Sequence, residues 1–151
     1  MSIKDLNPNS KLWLYQSNRP LNSTEISWLN EQLEEFTKQW AAHGNQLKAA
    51  GEVLNPYFLA LAVDLTHENA SGCSIDSSVR FIKSVGAELN VDFFNRLKML
   101  VEDENGAQNL VPFKQIAEQS SNFVFNPLVE KLGDLESKFK IKVGDFLSST
   151  N

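Results

Sequence analysis

Apolar residues recur along this chain with two periods, and the switches between those periods mark its elements. Leu12 and Leu14 alternate with Trp13 and Tyr15, the pattern of a strand with two dissimilar faces. Ile26, Leu29, Leu33, Phe36 and Trp40 then return every three or four residues, forming one apolar stripe along a helix expected over 23–42. Polar residues mark its start: Asn22 caps, Glu25 closes a capping box, and Leu21 staples onto Ile26. Gly44 supplies the left-handed stop. Two extended runs follow, 46–54 and 57–65, joined through Asn55-Pro56. The second is apolar without a break from Tyr57 to Val63, which predicts a central strand covered on both faces.

A polar loop over 66–72 leads into a second helix predicted over 75–89, with Ser74 as cap and Ile75, Val79, Ile82 and Leu89 facing inward. Asn105-Gly106 lies between the runs 97–103 and 107–111, a strong hairpin signal. A short helix around 113–119 and a strand over 122–126 come next. Leu128, Leu132, Leu135 and Phe139 fit a helix opened by Pro127, although Gly133 weakens it; a shorter helix from Asp134 is the other reading. The order β-α-β-β-α-β-β-α-β-α predicts an α+β fold, a mixed, largely antiparallel sheet with helices packed against it. With 151 residues and no repeat, linker or low-complexity segment, residues 1–151 read as a single domain. A chain of that length buries roughly 70% of its unfolded surface, so it needs no disulfide or metal as a staple.

Charge and sulfur content narrow the partners. Fourteen Lys and Arg against nineteen Asp and Glu leave a net charge of −5. The densest basic segment, Lys138-Phe139-Lys140-Ile141-Lys142, is interleaved with apolar residues, so there is no stripe to neutralise a phosphate backbone and nucleic acid is not an expected partner. The one cysteine, Cys73, excludes an intramolecular disulfide. A lone thiol, a start without the apolar core of a signal peptide, and no apolar run long enough to span a bilayer together predict a soluble, cytoplasmic protein without a membrane partner.

Candidate chemistry concentrates in Ser71-Gly72-Cys73-Ser74-Ile75-Asp76. A helix start offers N–H donors and a positive dipole end, which favour a thiolate or a bound anion. Gly72 would let that anion approach, with the hydroxyls of Ser71 and Ser74 adding donors. A cysteine nucleophile would need a base, for which His43 and His67 are the two histidines, with Asp64 or Asp76 to orient it. The competing reading makes Cys73 a small buried residue and Ser74 an ordinary cap. His43, His67 and Cys73 are metal-ligand types without paired close spacing, so no metal is expected. Trp28 lies off the main stripe and reads as a surface contact, which would suit a homo-oligomer, or as packing against a neighbouring element.

Leu12-Trp13-Leu14-Tyr15-Gln16 with Asn18-Arg19, Trp40-Ala41-Ala42-His43-Gly44, and Gly72-Cys73-Ser74-Ile75-Asp76 with Ser78-Val79 and Phe81-Ile82-Lys83 together resemble a small, uncharacterised bacterial family of about this length. Its members often carry the label "ABC transporter ATPase". The resemblance runs to about Asn126, and the last twenty residues depart from it, with Asp145-Phe146-Leu147 where the family leads one to expect Trp and His. None of the seven glycines is followed by lysine, so the G-x-x-x-x-G-K-[ST] loop that holds phosphates is missing and ATPase activity is not expected. No cofactor is expected either. Two function classes remain. The first is a non-enzymatic domain that binds a small anion or a protein partner at Gly72–Asp76, with His43, His67 and Arg19 as neighbours. The alternative is a thiol-dependent enzyme using Cys73.

Overall fold

The computed structural model describes residues 2–66 and 69–150. The architecture is α+β, with every strand pairing antiparallel. Where the sequence pattern suggested one mixed sheet, there are two main sheets and a small separate hairpin. The first sheet has the order β1 (Lys11–Gln16), β5 (Phe58–Asp64), β4 (Lys48–Asn55). The second has the order β7 (Gln108–Pro112), β6 (Lys98–Glu102), β8 (Phe123–Phe125), β9 (Lys140–Lys142).

Alternation along the strands explains why two sheets stack. On β1 and β5, Leu12, Leu14, Phe58, Ala60 and Ala62 point to a cluster shared with Leu100 of β6 and Phe125 of β8, so the sheets pack face to face. The opposite face of β5, Leu59 and Leu61, packs on Leu29 and Leu33 of α1 (Ser23–Gln39) and on Ile82 and Val85 of α2 (Gly72–Leu89). Met99, Val101 and Val124 turn to the far side of the second sheet, under Ile116 of a 3-10 segment (Phe113–Gln119) and Val143 and Phe146 of α4 (Val143–Ser149). The layers therefore run helix, sheet, sheet, helix. All seven residues of β5 are buried, as its unbroken apolar run predicts. α1 lies close over β4 because Gly51 has no side chain; a Cβ there would sit 2.8 Å from Leu61 Cδ2 and 3.0 Å from Leu33 Cδ2.

One polar side chain joins the sheets. Gln16, 8% exposed, donates from Nε2 to the Lys98 carbonyl at 2.8 Å and accepts the Leu100 amide at 3.2 Å. Its carboxamide thus continues a β-ladder where the backbones diverge, satisfying two groups that burial would otherwise orphan.

The capping box at Asn22 and Glu25 forms as the sequence indicates. The helix after it stops earlier than the stripe suggests, at Gln39. Trp40 turns to extended backbone, and His43 (φ 52°) and Gly44 (φ 79°) make the tight turn between β2 (Ala41–Ala42) and β3 (Asn45–Gln46). Two consecutive positive φ values match the turn that a two-residue hairpin requires. Gly44 therefore closes a hairpin instead of ending the helix. The second helix starts three residues before the expected position, with Ser71 as the cap in place of Ser74. Its buried face is Ser74, Ser78, Ile82, Val85 and Gly86, while Ile75 is 38% exposed. Small residues face inward there because the neighbouring elements approach closely. Pro127 opens no helix; a 3-10 turn (Leu132–Asp134) leads into the four-residue α3 (Leu135–Lys138). The chain then adds β9 and α4, two elements that the sequence pattern did not reveal.

Candidate functional site

Two short segments meet at the start of α2. The Ser71 hydroxyl accepts the Ser74 amide at 3.1 Å, and its carbonyl accepts the Ile75 amide at 2.9 Å. Ser74 is buried, and its own hydroxyl returns a hydrogen bond to the Ser71 carbonyl at 2.8 Å. The Ser74 carbonyl takes the Ser77 hydroxyl at 2.8 Å and, from across the chain, the Trp40 indole Nε1–H at 2.8 Å. Trp40 is 3% exposed and stands against Phe36 and Trp13. This buried bond fixes the hairpin of His43 and Gly44 against the first turn of α2.

An open hollow of about 400 Å³ lies between them, lined by Phe36, Gln39, Trp40, Ala41, His43, Ser71, Cys73, Ser74 and Ser77. His43, Ser71, Cys73 and Ser74 are thus brought to one place. The Ser71 and Ser74 hydroxyls, expected as donors to an anion, donate within the turn instead, Ser71 to the Ser74 hydroxyl at 3.2 Å and Ser74 to the Ser71 carbonyl. Cys73 is exposed, which corrects the reading of it as a buried small residue. Gly72 is open enough that a Cβ would meet nothing within 4 Å, so packing does not require a glycine there.

Other candidate residues lie elsewhere. Asp76 is exposed and does not line the hollow. Asp64 is buried at the end of β5, where it accepts the Thr66 amide at 2.9 Å and hydroxyl at 2.5 Å and faces Lys48 Nζ at 3.9 Å. It holds the loop after β5 and does not line the hollow. Arg19 makes a bidentate pair with Glu25 at 2.9 and 2.7 Å and donates to the Leu89 carbonyl at 2.7 Å. Leu89 closes the other end of α2, roughly 25 Å along the axis from Gly72, so Arg19 secures the helix C-terminus and is no neighbour of the Gly72–Asp76 segment. Within that pair, the Arg19 guanidinium, helped by the Asn22 amide, holds the Glu25 carboxyl down to about 2. His67 lies outside the described residues. Trp28 is half-buried and packs against the cluster between α1, α2 and the first sheet.

Among the described residues, no group of three or more His, Cys, Asp or Glu side chains is placed to hold a metal ion. No helix among them is long and apolar enough to cross a membrane. Gln39 and Ser77 also line the hollow, and nothing in the sequence pattern marks them. Trp40 carried a usable signal, since a buried indole N–H needs an acceptor. Comparison with protein-family models, curated protein sequences and solved structures finds no match to this chain.

Proposed function

We propose that this protein is a non-enzymatic binding domain whose ligand, a small oxyanion free or carried by a protein partner, seats in the hollow at the start of α2. The reading rests on one observation. The Trp40–Ser74 hydrogen bond holds an imidazole, His43, and the first turn of an 18-residue helix around the same open space. The N-terminal turn of such a helix favours negative charge through its amides and dipole. Membership of the small bacterial family that the motifs resemble is part of the same proposal, because two of those motifs, Trp40–Gly44 and Gly72–Asp76, meet here. A cytoplasmic location accords with the lone exposed thiol.

Titration of the protein with inorganic phosphate, followed by amide NMR, tests the reading. Binding should move the Ser71–Ser74 and His43 signals together, with a dissociation constant of about 1 mM. Flat spectra at those residues overturn it. The second reading, a thiol-dependent enzyme, is favoured by Cys73 and His43 lining one hollow. A Cys73→Ser variant separates the two: anion binding should survive, whereas nucleophilic chemistry would be abolished.

A further inference from the structure

A second hollow, of about 150 Å³, opens where the end of β1, the start of β6 and loop 90–97 meet. Its walls are apolar, with Leu14, Phe93, Met99 and Phe146 inside and Phe113 and Leu128 at the rim. Arg96 and Lys98 also line it, and none of its lining residues is acidic. Neither cation forms an ion pair among the described residues. In a chain of net charge −5, two uncommitted cations beside an apolar recess are a local reversal of sign.

The rim is also where apolar surface is left uncovered. Leu128 is 53% exposed and Phe113 47%; Leu97, whose carbonyl accepts the Phe113 amide at 2.9 Å, is 77% exposed. An apolar cavity of about 150 Å³ matches a benzene-sized guest. Larger drug-like ligands need several hundred Å³, so the occupant is small. Its polar end must face the two cations and carry negative charge.

We propose that this hollow is a binding site for a small monocarboxylate with a ring-sized apolar body, the ring entering between Leu14, Phe93, Met99 and Phe146 and the carboxylate meeting Arg96 and Lys98. The inference is independent of the α2 hollow, because it uses different residues and a different ligand chemistry.

The test is a titration of the intact protein with phenylacetate, monitored by methyl and aromatic NMR, beside the neutral isostere 2-phenylethanol. Phenylacetate should shift Met99, Leu128 and Phe146 with a dissociation constant of about 1 mM, and the alcohol should bind about fivefold more weakly. The double variant Arg96→Gln/Lys98→Gln, altered only at exposed positions, should remove that difference. No shift at these three residues, or equal binding of acid and alcohol, overturns the proposal. So does light scattering that shows a dimer dispersed by Leu128→Glu, because the recess would then belong to a contact between copies. Phosphate binding at Ser71–Ser74 is scored separately, so either site can fail while the other stands.

Discussion

The indole N–H of Trp40 reaches the carbonyl of Ser74 across 34 residues of sequence, at 2.8 Å and out of contact with water. Ser74 sits in the first turn of α2, and Trp40 is the residue at which α1 ends. The bond thus ties the end of one helix to the beginning of the next and sets the shape of the hollow between them. Replacing Trp40 with Phe keeps most of the ring but deletes the donor. The Ser74 carbonyl retains the Ser77 hydroxyl, so it is not orphaned; the lost hydrogen bond and the gap left by the missing pyrrole ring together should cost about 2–3 kcal/mol. Urea denaturation measures that loss. Hydrogen exchange should quicken in the first turn of α2 and leave β5 unchanged; uniform acceleration would show that the bond does not act locally.

The Arg19–Glu25 pair makes stability depend on acid. Glu25 titrates at about 2 when folded, against an ordinary value of 4.5, so its contribution is complete above about pH 5 and lost as pH falls from about 4.5 to 2. Because Arg19 is 39% exposed, solvent screens the pair, and about 1 kcal/mol is the expected size. Denaturation midpoints of the wild type and Glu25→Gln should differ at neutral pH and converge as pH approaches 2. A gap that persists at pH 2 would locate the effect in helix packing.

Gln16 offers a larger effect from a smaller change. Gln16→Leu keeps the volume but leaves the Lys98 carbonyl and Leu100 amide unpaired between the sheets. Two orphaned groups there cost about 2–4 kcal/mol. Calorimetry should show a lowered Tm, and the β6 amides should lose exchange protection first.

Gly86→Ala reverses the usual sign of a helical substitution. In an open helix the change stabilises by about 1 kcal/mol. At Gly86 the new Cβ would stand 2.9 Å from the Val91 carbonyl oxygen, which is backbone that cannot swing aside. The Val91 amide also bonds to the Gly86 carbonyl at 2.9 Å, so the helix end and the next segment would have to move together. Net destabilisation of about 1–3 kcal/mol is expected in a urea titration. A stabilised variant would show that this end of α2 yields easily.

Legibility followed distance along the chain. The capping box at Asn22 and Glu25 could be read because its partners are three residues apart, and the hairpin at Asn105-Gly106 because the turn chemistry is local. The end of α1 is not legible because Trp40 continues the helical stripe while its backbone is already extended. Ser71 and Ser74 are equivalent cap candidates in sequence, and only the fold shows Ser74 already enclosed in the helix. Among the site residues, Cys73, Ser71 and Ser74 were read as neighbours in sequence; that His43 joins them and Arg19 does not is a matter of topology.

The sequence by itself determined the class of fold, the buried central strand and the stretch in which to look for a site. Periodicity, capping and turn residues act over a few positions and survive in any context. Only the tertiary structure decided that the strands split into two stacked sheets, that Gln16 bridges them across 82 residues, and that Trp40 closes one hollow while Arg96 and Lys98 flank another. Those arrangements depend on which buried polar group finds which partner once the chain has collapsed, a choice among distant groups that no local pattern encodes.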